Sequence, residues 1–272
     1  MYWVEFCSGI KRYYKRDGRK GVLYFIKHQF YNRLIKPLKH ADRFVCFNPE
    51  RQLAKRFEQT LPVIERHAFC MHGNYYLSNK YALNAQSIIY SLGVLNETSF
   101  DQALSDKYGC NIYMFDPSII ATRHLAEIKN PKFIFREVAV WIEKTTMRFS
   151  SPLYGGSPSM ILEHDGKTFE AKCESLSSLM AENQHRHIDV LKMDIEGAAA
   201  QILNHMIDEQ IYPDQIVAKF ERPNTKKIED FLSFYEVLRQ LIGRLESLGY
   251  EMRVMPREKF KYYSLELIFV KC

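Results

Sequence analysis

Several features that would define a membrane or secreted protein are missing from this sequence of 272 residues. No apolar run approaches the roughly 20 residues that a bilayer-spanning helix needs, and the N-terminus does not have the order of charge, apolar core and cleavage site of a signal peptide. The six cysteines are scattered without a CxxC pair, which argues against a disulfide framework. There is also no internal repeat and no low-complexity tract. These absences predict a cytoplasmic protein with reduced thiols, built as one enlarged domain or as one domain with a small accessory segment.

Acidic residues are scarce at the start of the chain, so positive charge is concentrated there. Residues 1–40 carry a net charge of +8, whereas the whole chain carries +6, which leaves −2 for the other 232 residues. The basic residues alternate with aromatics, as in "KRYYKR", and this composition suits an anionic membrane surface or an acidic glycan. The alternative is a solvated helical face whose aromatics pack on the main domain. No nucleic-acid module accompanies the charge, so we expect no nucleic-acid partner.

We therefore divide the chain into a basic, aromatic-rich helical extension over residues 1–80 and a main domain over residues 81–272. The extension would recruit the substrate, or hold the protein at the inner face of a membrane. The charge that motivates this prediction comes from ten basic residues, opposed by Glu5 and Asp17: Lys11, Arg12, Lys15, Arg16, Arg19, Lys20, Lys27, Arg33, Lys36 and Lys39.

From residue 87 onward, short apolar runs alternate with helical patterns. "SIIYSLG" (87–93) is typical of a parallel strand buried on both faces, and we predict "NIYMFD" (111–116) and "FIFREVAVW" (133–141) as the second and third strands. Between them we predict a helix with Ser99 as its N-cap and Gly109 as its stop, and a second helix with Pro117 as its first residue. This order predicts an α/β fold with a doubly wound, mostly parallel, Rossmann-like sheet.

The second half continues the alternation after an interruption. Short β-like runs over residues 143–173 predict an inserted β-hairpin or flap. "HIDVLKMD" and "QIVAKFE" follow as the fourth and fifth strands, and residues 228–248 show the most regular helical periodicity in the chain. "YEMRVM" and "SLELIFVK" close the sheet as strands six and seven. Their connection is too short for a crossover helix, so the two strands either pair antiparallel or are separated by another strand.

Candidate binding residues lie where the predicted strands end, because ligands of such sheets bind beyond the carboxyl ends of the strands. Gly93 ends the first strand, where a missing Cβ permits close approach to a ligand. Asp116 ends the second strand, 23 residues later, close to the separation at which an acidic residue holds the hydroxyls of a nucleoside ribose. Each residue also has an ordinary interpretation: Gly93 as a plain turn residue, and Asp116 with Pro117 as a helix cap.

Charged residues around the fourth strand are harder to explain as surface groups. Lys192 and Asp194 point to the same face of a buried strand, and a buried lysine requires an acidic partner or a depressed pKa. Asp194, Glu196 or Glu221 would supply that partner. The alternative is an internal ion pair that only fixes loop geometry.

Two segments resemble the FkbM-type methyltransferases. "IDVLKMDIEGAAAQIL" is similar to the family's Lys-x-Asp-x-Glu-Gly-Ala signature, and "IIYSLGVLNETSFDQALSDKYGCNIYMFDPS" is similar to its cofactor segment. The resemblance covers residues 85–221. It implies a fold that binds S-adenosylmethionine and transfers its methyl group, usually to a hydroxyl oxygen.

The resemblance also implies a role for each candidate residue. Ser91 and Gly93 would line the methionine part of the cofactor, Asp116 and Pro117 the ribose, and Glu137 and Ala139 the adenine. The substrate would meet Glu221 and a glycine-containing loop formed by Tyr154, Gly155, Gly156 and Ser157. Asp194, Glu196 and Lys192 would be catalytic. The family's second loop glycine is Leu95 here, a bulkier residue with less backbone freedom.

Methyl transfer needs an aligned acceptor and a base that takes its proton. Asp194 or Glu196 is the candidate base, with Lys192 tuning the pair; the alternative, a divalent cation held by Asp194 and Glu196, is not favoured. We predict an O-methyltransferase acting on a sugar of a surface polysaccharide or glycoconjugate. A lipid or natural-product hydroxyl is the alternative acceptor, and a non-catalytic scaffold that kept the fold is the alternative class.

Overall fold

A seven-stranded sheet forms the centre of the computed structural model, which describes residues 49–152, 157–162, 164–223, 225, 227–256 and 263–272. The strands are β3 (Ile89–Leu92), β4 (Ile112–Phe115), β5 (Phe133–Arg136), β9 (Val190–Met193), β10 (Gln215–Glu221), β11 (Tyr250–Val254) and β12 (Ser264–Lys271). They lie in the order β11-β12-β10-β9-β3-β4-β5, and only β12 runs against the others. This confirms the predicted doubly wound, mostly parallel sheet, and of the two arrangements left open for strands six and seven the structure has antiparallel pairing.

Helices cover both faces of the sheet, because its central strands are apolar on both sides. On one face, Tyr90 and Leu92 pack in a core with the last three helices; on the other, Ile89 packs with α2 and α3. The helices of the described part are α1 (Pro49–Gln59), α2 (Ser99–Tyr108), α3 (Ile119–Ile128), α4 (Leu176–Glu182), α5 (Ala199–Asp208) and α6 (Ile228–Ser247). No helix in these ranges is long and apolar enough to cross a bilayer.

The extension predicted to be helical is only partly so where the structure describes it. After α1, residues 69–78 form a hairpin of β1 (Phe69–His72) and β2 (Tyr75–Ser78). Tyr75 and Leu77 are buried in the core that α2 and α3 share with the sheet. The hairpin thus packs on the main sheet and α1 packs on the helix over residues 228–247, whereas residues 1–40 lie outside the described part of the chain.

Three predicted element boundaries are wrong in detail. Ser99 is the first residue of α2 and not its cap, which is Thr98. Pro117 precedes α3, whose cap is Ser118; the Ser118 side chain accepts a hydrogen bond from the amide of Ala121. The predicted strand over residues 133–141 is divided: β5 ends at Arg136 and β6 (Ala139–Val140) joins another sheet.

The inserted flap is confirmed as a separate three-stranded sheet. Its order is β6-β8-β7, in which β7 (Thr145–Ser150) and β8 (Thr168–Glu174) are antiparallel. Because β6 follows β5 after two residues, this sheet lies next to the carboxyl ends of the central strands.

The sheet has its switch point between β3 and β9. From β3 the chain proceeds outward through β4 and β5, and from β9 it proceeds in the opposite direction through β10. The chain therefore leaves β3 and β9 towards opposite sides of the sheet, and a crevice forms beyond the ends of these strands, which is where ligands bind in folds of this class.

Candidate functional site

A cavity opens at the switch point and encloses about 830 Å³ of empty space, including its open mouth. Most of the predicted site residues within the described ranges line it: Gly93, Asp116, Pro117, Ala139, Ser157, Lys192, Asp194 and Glu196. Ser91, Glu137 and Glu221 are not among the lining residues. Tyr154, Gly155 and Gly156 lie outside the described residues.

Gly93 lets the loop after β3 lie directly against the loop after β9. Its φ is +79°, and a Cβ at this position would lie 2.0 Å from the carbonyl oxygen of Asp194. The Asp194 amide in turn donates to the carbonyl of Leu92 at 2.9 Å. A side chain at position 93 would therefore separate the two loops that form the cavity.

Asp116 organises the loop that leads from β3 into α2. Its Oδ2 accepts hydrogen bonds from the amides of Val94 and Leu95, each at 2.8 Å, and its Oδ1 accepts one from the amide of Ser118, also at 2.8 Å. Leu95 adopts a left-handed φ of +47°, so the loop keeps the conformation that a glycine would favour, although leucine adopts it only with strain. Since a carboxylate has about four lone-pair sites, Asp116 retains acceptor capacity towards the cavity.

Three carboxylates meet beyond β9 and β10 and share one lysine that the sequence analysis missed. The ammonium of Lys219 lies 2.6 Å from Asp194 Oδ1, 3.2 Å from Glu196 Oε1 and 3.3 Å from Glu221 Oε1. The hydroxyl of Tyr75 donates to the other oxygen of Asp194 at 3.0 Å. We call Asp194, Glu196, Glu221 and Lys219 the carboxylate cluster.

The signal for Lys219 was present in the sequence. It interrupts the apolar strand "QIVAKFE" in the same way that Lys192 interrupts "HIDVLKMD", and it points to the same face as Glu221 two residues later. Tyr75 gave no such signal, because it comes from a hairpin more than 100 residues away in the sequence.

The charges in the cluster shift its pKa values in different directions. Burial alone would raise the pKa of Asp194, but the nearby ammonium groups of Lys219 and Lys192 outweigh it and lower that pKa. Burial raises the pKa of Glu221 to about 7; Lys219 opposes this shift and Glu196 and Asp194 add to it. Burial would lower the pKa of Lys219, but the three carboxylates raise it, so this lysine stays protonated.

Lys192 lies apart from these carboxylate contacts. Only 3% of the residue is exposed, and its ammonium donates a hydrogen bond to the carbonyl of Gly93. The lysine therefore ties β9 to the loop after β3 and places a buried positive charge at the cavity wall.

The flap closes over the turn that carries Glu196. The hydroxyl of Ser159 donates to the carbonyl of Glu196 at 2.6 Å, and Glu196 has a left-handed φ of +28°. Ser157 and Ser159 line the cavity, whereas Glu137 is exposed and accepts a hydrogen bond from Thr122 of α3 at 2.6 Å. The flap thus contacts the acidic turn, and Glu137 contacts a helix instead of the cavity.

A human protein is similar in sequence to part of this chain. The chain is 24% identical over 205 residues to human probable methyltransferase-like protein 24, a match that covers 72% of this chain and 50% of that protein. The chain therefore spans about half the length of this relative.

Solved structures of low sequence identity are also similar. An rRNA methylase from Streptococcus thermophilus matches at 12% identity and a TM-score of 0.39, covering 70% of this chain and 89% of the other. Fibrillarin from Aeropyrum pernix, with natively bound S-adenosyl-L-methionine, matches at 14% identity and a TM-score of 0.38, covering 69% and 67%.

The comparison that establishes the family is with a domain model. The model of the methyltransferase FkbM domain matches residues 38–252, which include the whole carboxylate cluster and the loops that line the cavity. Because this match extends over most of the sequence, the chain belongs to the FkbM methyltransferase family.

Proposed function

We propose that this protein transfers a methyl group from S-adenosylmethionine to a hydroxyl oxygen. The observation that carries the proposal is the cavity at the switch point of an FkbM-family chain, with the acidic residues Asp194 and Glu196 in its wall. When bound, the cofactor supplies a methyl group activated by a sulfonium. The protein has to align the acceptor with that methyl group and remove its proton.

The cavity suits this cofactor in chemical composition and in charge. Its walls combine apolar side chains, among them Phe115, Val140 and Phe149, with several carboxylates, and the cofactor combines a nucleoside with a cationic sulfur. Asp116 and Pro117 would hold the ribose, Gly93 would face the methionine part, and Ala139 would approach the adenine. The resemblance also implies cofactor contacts for Ser91 and Glu137, which would contribute from positions that do not line the cavity.

Glu196 is the carboxylate that we assign as the proton acceptor. Both oxygens of Asp194 are already engaged, one by Lys219 and one by Tyr75, and the lowered pKa of Asp194 makes it a weaker base. Glu196 lines the same cavity and sits on a turn that the flap contacts. Asp194 and Lys219 would then hold the turn, with Lys192 contributing positive charge behind it.

The acceptor that we propose is a neutral sugar hydroxyl of a polysaccharide or glycoconjugate. A second cavity begins where the first ends: Glu196 lines the first, and Gly197 and Glu221 line the second. The second cavity offers amide, hydroxyl and carboxylate groups from Gln201, Asn204, Ser233 and Asp230 beside the aromatic ring of Phe234. Apolar side chains, among them Ile161, Leu162 and Val237, make up most of the rest of this lining. A sugar ring, which has apolar ring faces as well as hydroxyl groups, would use both kinds of contact.

Calorimetric titration with S-adenosylhomocysteine, the demethylated product, tests the cofactor site first. Saturable binding with one site per chain is expected, and a folded protein that does not bind would favour the scaffold alternative. Transfer of a radiolabelled methyl group to neutral oligosaccharides, compared with lipid and natural-product alcohols, then tests the acceptor.

Glu196→Gln should reduce turnover at least about 100-fold while leaving the affinity for S-adenosylhomocysteine within a factor of about two. Full activity of this variant would reject Glu196 as the base.

A further inference from the structure

The wall of the cavity contains a buried carboxylate that the assigned roles do not use. Asp101 lies in the first turn of α2, is only 1% exposed and lines the cavity at the switch point. Within the described part of the chain, neither of its carboxylate oxygens forms an ion pair or a hydrogen bond of full geometry; the neutral donors beside it are the Ser91 hydroxyl and the amide of Asp101 itself. Leaving a buried carboxylate without such a donor is costly, so an unfilled acceptor at a cavity wall indicates a missing partner.

The surroundings of Asp101 contain one charge of the opposite sign. Ser91 and Lys192 are paired neighbours on β3 and β9, so their side chains share one face of the sheet, the face that α2 covers. Burial raises the pKa of Asp101, while the charge of Lys192 and the hydroxyl of Ser91 oppose that shift. The Lys192 ammonium donates a hydrogen bond to the carbonyl of Gly93, and it forms no ion pair with Asp101 within 4.0 Å.

A carboxylate and an ammonium side by side match one chemical group, the α-amino acid. Such a group is a zwitterion whose ammonium and carboxylate are attached to the same carbon. Among the parts of S-adenosylmethionine, only the methionine tail has this charge pattern; the adenosine part has neither charge.

We propose that Asp101 binds the α-ammonium of the methionine part of the cofactor, with Lys192 providing the positive charge beside its carboxylate. The inference rests on the proposed function and assigns one part of the cofactor to one residue. It also explains why a carboxylate is kept inside the first turn of α2, since the incoming ammonium supplies the charged donor that Asp101 lacks. A purely structural alternative is that Asp101 only favours the positive end of the helix.

Two ligands that differ in this tail separate the alternatives. S-adenosylhomocysteine carries the amino acid, and 5′-methylthioadenosine has the same nucleoside and thioether without it. Asp101→Asn keeps the shape and removes the charge. The matched control is Asp106→Asn, an exposed carboxylate on the same helix.

The measurement is calorimetric titration of the full chain and both variants with both ligands. Asp101→Asn should weaken S-adenosylhomocysteine about 10- to 100-fold, because a charged hydrogen bond is lost, and should leave 5′-methylthioadenosine within about twofold. Asp106→Asn should change neither affinity. Equal weakening of both ligands by Asp101→Asn, or no weakening of either, would overturn the proposal.

A second measurement does not depend on how well Asp101→Asn folds. The unmodified protein is titrated with the deaminated analogue of S-adenosylhomocysteine, in which hydrogen replaces the ammonium. Affinity at least about tenfold lower than for S-adenosylhomocysteine is expected, and equal affinity would contradict the role of Asp101. If the unmodified protein binds none of the three ligands, the proposed cofactor site itself fails, and the assignment of Asp101 fails with it.

Discussion

Lys219 occupies the position where a metal ion would otherwise balance three carboxylates. Oxygens of Asp194, Glu196 and Glu221 all lie within 4.8 Å of one another, close enough to hold one cation, and the Lys219 ammonium contacts each residue. The sequence left a divalent cation open as an alternative at Asp194 and Glu196. The contacts of Lys219 favour a carboxylate cluster that binds no metal ion, because the ammonium of Lys219 already neutralises part of the negative charge of the three carboxylates.

Replacing this ammonium should turn the carboxylate cluster into a metal site. In Lys219→Met the three carboxylates lose their cation, so we expect the variant to be about 3–5 kcal/mol less stable at neutral pH. Added Mn²⁺ or Ca²⁺ should restore part of that loss, which thermal unfolding with and without the ion would measure. Lys192→Met is the matched control, since Lys192 hydrogen-bonds a carbonyl and its loss should not be rescued by metal. Rescue of neither variant, or equal stabilisation of the unmodified protein, would contradict this role for Lys219.

Glu221 should make the stability of the protein depend on pH. Its pKa is raised to about 7 in the folded chain, above its ordinary value, so the folded state holds a proton that the unfolded state releases. The stabilisation from this proton is fully present below the ordinary glutamate range and is lost as the pH rises through about 7. The slope is up to about 1.4 kcal/mol per pH unit.

Comparison with Glu221→Gln isolates this contribution. The free energy of unfolding of the unmodified protein should fall relative to that of the variant between about pH 4.5 and 7, and the difference should level off above about pH 8. Urea unfolding of both proteins across this range gives the difference directly. If the unfolding free energies of the two proteins changed in parallel with pH, the pKa of Glu221 would not be raised in the folded protein.

At the scale of elements, the site depends on how closely the loop after β3 approaches the loop after β9. Gly93 and Gly249 have similar left-handed φ values, so comparing alanine substitutions at the two positions separates the cost of a steric collision from the cost of backbone strain. A Cβ at Gly93 would meet backbone of Asp194 at 2.0 Å, whereas a Cβ at Gly249 would meet nothing within 4 Å. An alanine at either position would have the same kind of backbone strain, but only the alanine at position 93 would also collide with neighbouring backbone.

Gly249→Ala should therefore cost about 1 kcal/mol in unfolding free energy, from backbone strain alone. Gly93→Ala should cost clearly more, because the β3 and β9 loops must separate, and it should also abolish binding of S-adenosylhomocysteine. Chemical unfolding and titration of the two variants test this pair. If they are equally stable and both bind, the close approach at Gly93 is not needed for the site.

The elements themselves could be predicted largely from sequence, for a physical reason. Strands buried on both faces leave continuous apolar runs, and "QIVAKFE" and "SLELIFVK" coincide with β10 and β12 as observed. The errors lie at the ends of the elements, where a single hydrogen bond determines which residue comes first. Ser118 caps α3, for example, although Pro117 is also a suitable first residue of a helix. The run over residues 133–141 was predicted as one strand, although the charged pair Arg136 and Glu137 lies at the point where β5 ends and the chain turns towards β6.

Across the whole molecule, what the sequence could not supply is contact between distant segments. Asp194 and Glu196 were identified as candidates from the strand that ends beside them. The groups that set their charge, Lys219 and Tyr75, come from β10 and from a hairpin in the segment expected to be helical. Local patterns identify a side chain's type and face, but its partners are fixed only by the tertiary fold.

At the scale of the whole molecule, positive charge is concentrated at one end of the sequence. Residues 1–40 carry +8 and the remainder −2, and the basic residues are interleaved with aromatics. If this segment recruits the protein to a membrane surface, each basic residue near an anionic bilayer contributes about 1 kcal/mol, and salt screens the attraction.

Co-sedimentation with vesicles tests this recruitment. Vesicles containing phosphatidylserine should bind the full chain at low salt and release it at high salt, and vesicles of phosphatidylcholine alone should not bind it. Replacing Lys11, Arg12, Lys15 and Arg16 together by glutamine should weaken the binding strongly, without changing the affinity for S-adenosylhomocysteine. Equal binding to both kinds of vesicle, or no effect of the four substitutions, would favour the other interpretation, in which these aromatics pack on the main domain and the charges form a solvated face.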